Sequence, residues 1–309
     1  MILLCGIPTE PPLAMVTGAL EKLGAPFRVF NQRRFAVSRM ILEIRDGSVT
    51  GWLEMGGEGI PLESISGIYV RLMDHSKLPE VEMLSPTAPE RLDCQGLHET
   101  LIRWCEITPA RIVNRLSSMA SNNSKPYQAQ LIRSHGFEVP ETLVTNDPEL
   151  VREFRAKHGR IIYKSISGVR SIVQTFQDSD FDRLNLIRWC PVQFQAYVEG
   201  VDVRVHVVDN QVFPTKVASA ATDYRYARDQ VGASPDLTAT VLPSEVQASC
   251  VRLAQSLGLV FAGIDLRLTP DDRVFCFEVN PCPGFSYFEA NTGQPIAQAV
   301  ASYLAGEHA

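Results

Sequence analysis

Two apolar runs near the C-terminus, residues 261–268 (FAGIDLRL) and 273–280 (RVFCFEVN), are separated only by Thr269-Pro270-Asp271-Asp272. Apolar runs closed around a short turn-forming segment specify an antiparallel hairpin. No other feature of the chain fixes a tertiary relationship so directly, because the hairpin sets Asp265 opposite the Glu278 end of the returning strand. Successive side chains in a strand face opposite sides, so Glu278 and Asn280 share one face while Phe277 and Val279 are expected on the other. Two carboxylates forced together repel and raise each other's pKa unless a cation sits between them. The all-oxygen set Asp265, Glu278 and Asn280 suits Mg²⁺ bound jointly with substrate phosphates. The bland alternative is a solvated sheet face on which the acids are incidental.

A metal that clamps phosphates predicts basic groups elsewhere. Lys164 ends the apolar run Ile161-Ile162-Tyr163 and precedes the small-residue loop 165–171, whose backbone N–H groups can cradle phosphate. Arg204 lies in Asp202-Val203-Arg204-Val205-His206, on the strand face opposite Val203 and Val205, and Arg225 lies in the polar, aromatic segment 222–226. Each alone reads as solvated charge. Together they stand in order between a small-residue loop and a carboxylate hairpin, in a chain of net charge −6. There is no dense Lys/Arg run, which excludes the electrostatic footprint of a nucleic-acid or anionic-membrane binder. An anionic ligand must therefore be held locally. His206, set in a strand, is expected to be structural or orienting, and Cys282, between two prolines with no evident base, is not expected to be a nucleophile.

The 309 residues suit two domains or three small ones, and 45% hydrophobic with 21% charged residues is ordinary for a globular chain. The apolar opening, residues 1–7, lacks a basic flank and ends at Pro8, far short of the roughly 20 residues of a membrane span, so a cytoplasmic protein is expected. Seven cysteines without a Cys-x-x-Cys pair argue against a disulfide framework or structural zinc. A strand at 2–7, a helix opening at Thr9-Glu10-Pro11-Pro12 and stopping at Gly24, and a strand at 27–30 predict a βαβ unit and a parallel sheet. Residues 41–52 predict a hairpin turning at Asp46-Gly47, 68–72 a strand, and 89–105 a helix. A second unit starts near Ile112, with a helix over 124–135 capped by Asn122 or Asn123 and another opening at Asp147-Pro148-Glu149. Strands at 192–197 and 201–208 flank Glu199-Gly200, and a helix covers 244–258.

In order, the segments NNSKPYQAQLIRSHGFEVPET, IIYKSISG, VQFQAYVEGVDVRV, DYRY, LGLVFAGIDLRL and CFEVNPCPGF resemble the ATP-grasp superfamily, of the glutathione synthetase and ribosomal-protein S6 glutamate-ligase type, over residues 112–305. The resemblance implies an α/β (α+β) ATP-grasp fold: a βαβ-type parallel-sheet domain over 1–111, a central subdomain over 112–191 and a C-terminal antiparallel-sheet subdomain over 192–309. It implies that Lys125 and Lys164 grip the nucleotide phosphates with Ser167 and Gly168 in the loop above them. Gln193, Gln195, Ala196 and Val198 would form the adenine hinge, using backbone groups near Gln195 and Ala196. Asp202, with Glu199 beside it, would hold the ribose hydroxyls. Asp265, Glu278 and Asn280 would bind one or two Mg²⁺ ions, or Mn²⁺, and Arg204, Arg225 and Lys164 would steady the transferred phosphate.

The implied reaction moves the γ-phosphate of ATP onto a substrate carboxylate, and an amine or hydroxyl then attacks the acyl-phosphate. The chain departs from the family pattern where Ser165 replaces the usual Pro after Lys164, where the loop has one glycine and offers Arg170 as an extra cation, and where Ser124 replaces Asp before Lys125. SKPYQ, VPETLVTNDPE and YKSISG are most similar to ligases that form ω-ester or ω-amide bonds in ribosomally made peptides, which ranks a peptide substrate above a free amino acid. A small-molecule carboxylate–amine ligase and a non-catalytic nucleotide-binding regulator are the alternatives. A homodimer is expected by family analogy.

Overall fold

The computed structural model describes residues 1–166, 172–221, 224–226, 228 and 231–307, the side chains of Asn123 and Arg225 excepted. Strand β1 (Ile2–Gly6), helix α1 (Pro11–Leu23) and β2 (Phe27–Asn31) form a βαβ unit in which β1 is wholly buried and α1 turns Leu13, Val16 and Leu20 inward. Pro11 and Pro12 occupy the first turn, where no N–H is required, and Gly24 ends the helix at φ 66. Next come β3 (Ser38–Arg45), β4 (Ser48–Met55) and β5 (Glu58–Pro61), a three-stranded antiparallel sheet whose first turn sets Asp46 and Gly47 at φ 51 and 77. The sequence reading stopped at the hairpin and did not anticipate β5.

Strands β6 (Gly67–Arg71) and β7 (Arg111–Val113), joined through α2 (Pro89–Ile107), complete a parallel sheet of order β2-β1-β6-β7. After α3 (Leu116–Met119), α4 (Lys125–Ser134), β8 (Thr142–Thr145), α5 (Pro148–His158), β9 (Ile161–Ser165), β10 (Gln174–Thr175) and β11 (Val192–Ala196) build an antiparallel sheet of order β10-β9-β11-β8 with its helices. Asp147 caps α5 by accepting the Glu149 N–H at 2.9 Å.

The remaining strands, β12 (Val201–Val208), β13 (Gln211–Ala218), β14 (Asp236–Ala239), β15 (Phe261–Leu268) and β16 (Val274–Asn280), form a five-stranded antiparallel sheet of order β14-β13-β12-β15-β16. Helix α6 (Ser244–Ser256) covers one face, where Val203, Val205, Val207, Ile264, Leu266, Cys276 and Val279 meet Cys250 and Leu253 in a closed apolar core. Strand periodicity then forces Asp202, Arg204, His206, Gly263, Asp265 and Arg267 onto the opposite face.

The chain ends in α7 (Ser286–Thr292) and α8 (Ile296–Ala305), and α8 returns to pack on α1 beside the first sheet. Gly67 allows that return, since a Cβ there would lie 2.5 Å from the Leu304 carbonyl oxygen. Among the described residues no helix is long and apolar enough to cross a membrane.

Candidate active site

The register of the last hairpin decides the site. Asp265 pairs with Glu278 and Gly263 with Asn280, but Leu266 pairs with Cys276, so Phe277 is an extra residue in a β-bulge. The bulge corrects the expected alternation. Phe277 does not share the buried face of Val279; it lines the cleft beside Glu278, while Cys276 and Val279 both stay in the core.

Helix α4 is clipped along β16 by Gln128, whose amide donates to the Val279 carbonyl at 2.8 Å and accepts the Val279 N–H at 3.1 Å. That docking delivers Lys125, the first helical residue, to Glu278, with Nζ 2.9 Å from Oε1. Asn122 does not cap the helix as expected. Ser124 occupies the cap position without a side-chain bond, and the Asn122 oxygen instead accepts from Lys125 Nζ at 2.8 Å.

Across the hairpin, Arg204 is the β12 partner of Asp265 and its Nη1 lies 2.8 Å from Oδ1. It is only 6% exposed, so it is no solvated charge. Burial opposes its charge, but Asp265, the Tyr224 hydroxyl and Glu278 outweigh burial and hold the guanidinium above its ordinary pKa. Tyr224 Oη donates to the same Oδ1 at 3.1 Å. Gly263 makes room for this arrangement, since a Cβ there would stand 2.1 Å from Arg204 Nη2. Asn280 Oδ1 accepts the Cys282 N–H at 2.9 Å, which braces the loop that follows. Asn114, buried at the end of β7, ties that loop to β15: its amide donates to Phe261 and Pro281 carbonyls at 2.6 and 2.7 Å and accepts from Val260 and Phe261 N–H groups.

Lys164 lies opposite Gln193 on β11. Two cavities of about 320 and 90 Å³ share Lys164, Gln195 and Phe277; Lys125 and Gln193 line the first, and Asp202, Asp265, Glu278, Tyr224 and Arg267 the second. Together they form a cleft between the four- and five-stranded sheets. Ala196, Val198 and Glu199 fall elsewhere, on a cavity of about 670 Å³ that carries Glu138, Glu141 and Asp271. It is larger, but it has no lysine, and the Arg273 guanidinium that lines it is already paired with Glu138 and Asp271, so the chemistry belongs to the smaller cleft.

At the hinge end two expectations change. β11 is paired on both sides and the Ala196 N–H donates to the Glu141 carbonyl at 2.9 Å, so that donor is held within the sheet. Asp202 is not an open acceptor either: Arg267 Nε and Nη2 donate to its two oxygens at 2.8 and 2.9 Å, and Nη1 donates to the Val198 carbonyl at 2.7 Å. The guanidinium stacks between Tyr197 and Phe277, with centroids 5.5 and 5.2 Å away. Gly200 permits the chain to cross β15 here, at φ 152 with the Leu268 carbonyl 2.3 Å from where a Cβ would be.

Ser167, Gly168 and Arg170 lie outside the described residues, and so does the side chain of Arg225, whose backbone forms part of a short turn at Tyr224–Tyr226. His206 is fully buried, its ring 4.9 Å from that of Phe288. Burial, with Arg204 adding to it, pushes its pKa well below 6.5 despite a partial offset from the Gly284 backbone, so it is a neutral packing residue. Cys282 keeps some exposed area, but crowding of its thiol raises the pKa, with Arg71 opposing and Glu10 reinforcing the rise.

Among the described residues no three His, Cys, Asp or Glu side chains cluster as metal ligands. The hairpin supplies two carboxylates and an amide, all hard oxygen donors, which fits Mg²⁺ completed by phosphate oxygens and water rather than an all-protein cage. Sequence reasoning missed Gln128, Tyr224, Gly263, Arg267 and Asn114. Only Tyr224, inside an aromatic loop already noted, carried a local signal.

The RimK-like ATP-grasp domain profile matches residues 122–304. A probable alpha-L-glutamate ligase of Chromohalobacter salexigens is 24% identical over 215 residues, 66% of this chain and 70% of the relative. Of solved structures, a Chryseobacterium gregarium RiPP-associated ATP-grasp ligase in complex with ADP and a leader and core peptide has a similar fold, with TM-score 0.83, 22% identity and coverage of 100% of this chain and 97% of that one. The ATP-grasp ligase PsnB complexed with minimal precursor, Mg and ADP is 28% identical, covers 99% of this chain and 96% of its own, and has TM-score 0.78.

Proposed function

The chain belongs to the RimK-like ATP-grasp family, and from that premise we propose that it activates a carboxylate of a ribosomally made peptide with ATP and joins it to an amine or hydroxyl, releasing ADP and phosphate. The observation that carries this reading is the facing pair Asp265 and Glu278, each already bonded to a cation from a different element, Arg204 and Lys125. Adenine binding alone demands no such pair, which disfavours a non-catalytic regulator.

The substrate carboxylate oxygen attacks the γ-phosphorus, the bond to the β,γ-bridging oxygen breaks, and ADP leaves with the electron pair. The amine or hydroxyl then attacks the acyl carbon, inorganic phosphate departs, and the nucleophile's proton passes to phosphate or solvent. Lys125 from α4 and Lys164 from β9 hold the nucleotide phosphates. Arg204, kept charged, and Arg225 steady the transferred group, because positioning and charge neutralisation supply most of the rate in such transfers. Asp265, Glu278 and Asn280 would hold Mg²⁺, or Mn²⁺, which when bound neutralises phosphate charge. Asp202, held in place by Arg267, offers the ribose hydroxyls the remaining lone pairs of its oxygens, and Gln193 and Gln195 wall the adenine side, while Ala196, Val198 and Glu199, which line the larger cavity, close the hinge end behind them.

A peptide substrate is favoured because PsnB complexed with minimal precursor matches at TM-score 0.78, against 0.58 for D-cycloserine synthetase DcsG, each over 99% of this chain, and is 28% identical against 24% for the glutamate-ligase relative. That relative supports the second reading, a small-molecule carboxylate–amine ligase. The partners are then ATP, the peptide, and a second copy of the chain, all in the cytoplasm. The test is release of ADP and phosphate with Mg²⁺ and source-cell extract divided into peptide-sized and metabolite-sized fractions. Stimulation by the peptide fraction is expected, and stimulation by the metabolite fraction alone would establish the second reading instead.

A further inference from the structure

The first, parallel sheet stands outside the cleft: among the described residues, none of β1, β2, β6 or β7 lines either of the two cavities that share Lys164. It reaches the site by another route. The carboxyl ends of β6 and β7 bond to the segment Pro281-Cys282-Pro283-Gly284, which directly follows the metal candidate Asn280. Pro281 and Pro283 have no N–H, so Cys282 carries the one backbone donor of residues 281–283. That donor goes to Asn280 Oδ1 at 2.9 Å, which aims the amide oxygen and leaves its second lone pair for a ligand. On either side of Cys282 the segment is held from the first sheet, with Asn114 donating to the Pro281 carbonyl at 2.7 Å and Arg71 Nη1 to the Pro283 carbonyl at 3.2 Å.

Arg71 is anchored in turn. Its Nε donates to both Glu10 oxygens at 3.0 Å and its Nη2 to Glu10 Oε1 at 2.5 Å. Glu10 stands at the cap position of α1 but makes no side-chain bond to that helix, so its carboxylate is committed to Arg71. The Arg71 side chain is only 9% exposed. Burial opposes its charge, and the bonds to Glu10 outweigh burial and hold the guanidinium above its ordinary pKa. A planar fork serves a carboxylate and a carbonyl at once in fixed geometry, whereas a lysine ammonium at the same position is a point charge on a flexible stem.

We propose that Arg71, fixed by Glu10, is a positioning residue for the metal site: it clamps residues 281–284 to the first sheet and so holds the Asn280 amide oxygen toward Mg²⁺. This rests on the assignment of Asp265, Glu278 and Asn280 to the metal. Groups that orient a metal's ligands control its binding without touching it. The bland alternative is a strut that merely joins two parts of the fold. Arg111 is such a strut: its Nε and Nη2 donate to the Leu304 carbonyl at 3.3 and 3.0 Å, tying α8 to the first sheet at the opposite end of β7 from Asn114. Arg71 differs in what it holds. The Pro283 carbonyl adjoins Cys282, the residue whose N–H orients the Asn280 side chain.

Mn²⁺ reads the site directly, because its EPR signal follows the free ion while the full chain is titrated in saturating ADP. In that titration Arg71→Met should raise the Mn²⁺ dissociation constant about tenfold, while ADP affinity without metal stays within about twofold. Glu10→Gln, which leaves Arg71 one acceptor oxygen, should raise it about threefold. Arg111→Met should lower the melting temperature yet leave Mn²⁺ affinity within about twofold. Unchanged Mn²⁺ affinity in Arg71→Met overturns the clamp and leaves the metal assignment standing; where that variant does not fold, unchanged affinity in Glu10→Gln does the same. Equal weakening in Arg111→Met also overturns it, since any strut would then serve. A wild type that binds no Mn²⁺ with ADP overturns the metal assignment itself, and the clamp with it.

Discussion

The two ends of the cleft neutralise their carboxylates in different ways. At the hairpin end Asp265 is held by Arg204 from β12 and Glu278 by Lys125 from α4, two cations from separate elements. At the hinge end one residue, Arg267, closes on both oxygens of Asp202 and on the Val198 carbonyl. Burial does not separate the ends, since the side chains of Glu278, Asp265 and Asp202 are 22, 21 and 23% exposed. Geometry does. Lys125, a point charge on a flexible stem, can exchange Glu278 for a phosphate, whereas the planar fork of Arg267 matches a carboxylate at both nitrogens and resists exchange. The hairpin end is therefore suited to rearrange around an arriving ligand, and the hinge end to hold its shape.

The strongest way to break this comparison is at the hairpin. We expect Glu278→Gln to lower ligation, followed as ADP release, by at least about 100-fold while the melting temperature moves by only about 3 °C. Near-normal turnover in that variant would remove the metal assignment and with it the distinction between the ends. At the hinge, Arg267→Met should raise the KM for ATP about tenfold with kcat within about threefold, and should narrow the preference for ATP over 2′-deoxy-ATP. A fall in kcat at unchanged KM would mean that the hinge end takes part in the transition state.

His206, packed behind Arg204 on the same strand face, sharpens the comparison through pH. Its folded-state pKa is held well below 6.5 by burial and by Arg204, so below pH 6.5 the unfolded chain binds a proton that the folded chain refuses. Stability must then fall as the pH falls. His206→Phe should flatten urea-unfolding stability between pH 7 and 5 by up to about 1.4 kcal/mol per pH unit; an unchanged slope would place the imidazole in a solvated setting. The smallest effect is expected at Cys282, whose crowded thiol stays protonated: Cys282→Ser should leave kcat within about twofold.

The hairpin, the opposition of Asp265 to Glu278, and the shared face of Asp202, Arg204 and His206 were legible in the sequence, because strand periodicity and turn chemistry act between near neighbours. The same reasoning marked Pro11, Gly24 and Asp147 as helix ends. It did not anticipate the bulge that turns Phe277 into the cleft, because two plausible registers differ by one residue and the core beneath Leu266 and Cys276 chooses between them. Nor did it pair Arg204 with Asp265, 61 residues away, or Arg267 with Asp202, 65 away. Gln128 bonds to Val279 and Asn114 to Phe261 and Pro281 across still longer separations. The sequence by itself determined the elements and which side chains share a face. Which carboxylate each cation neutralises was decided only by tertiary packing, because an ion pair depends on the distance between strands and helices whose docking no local period records.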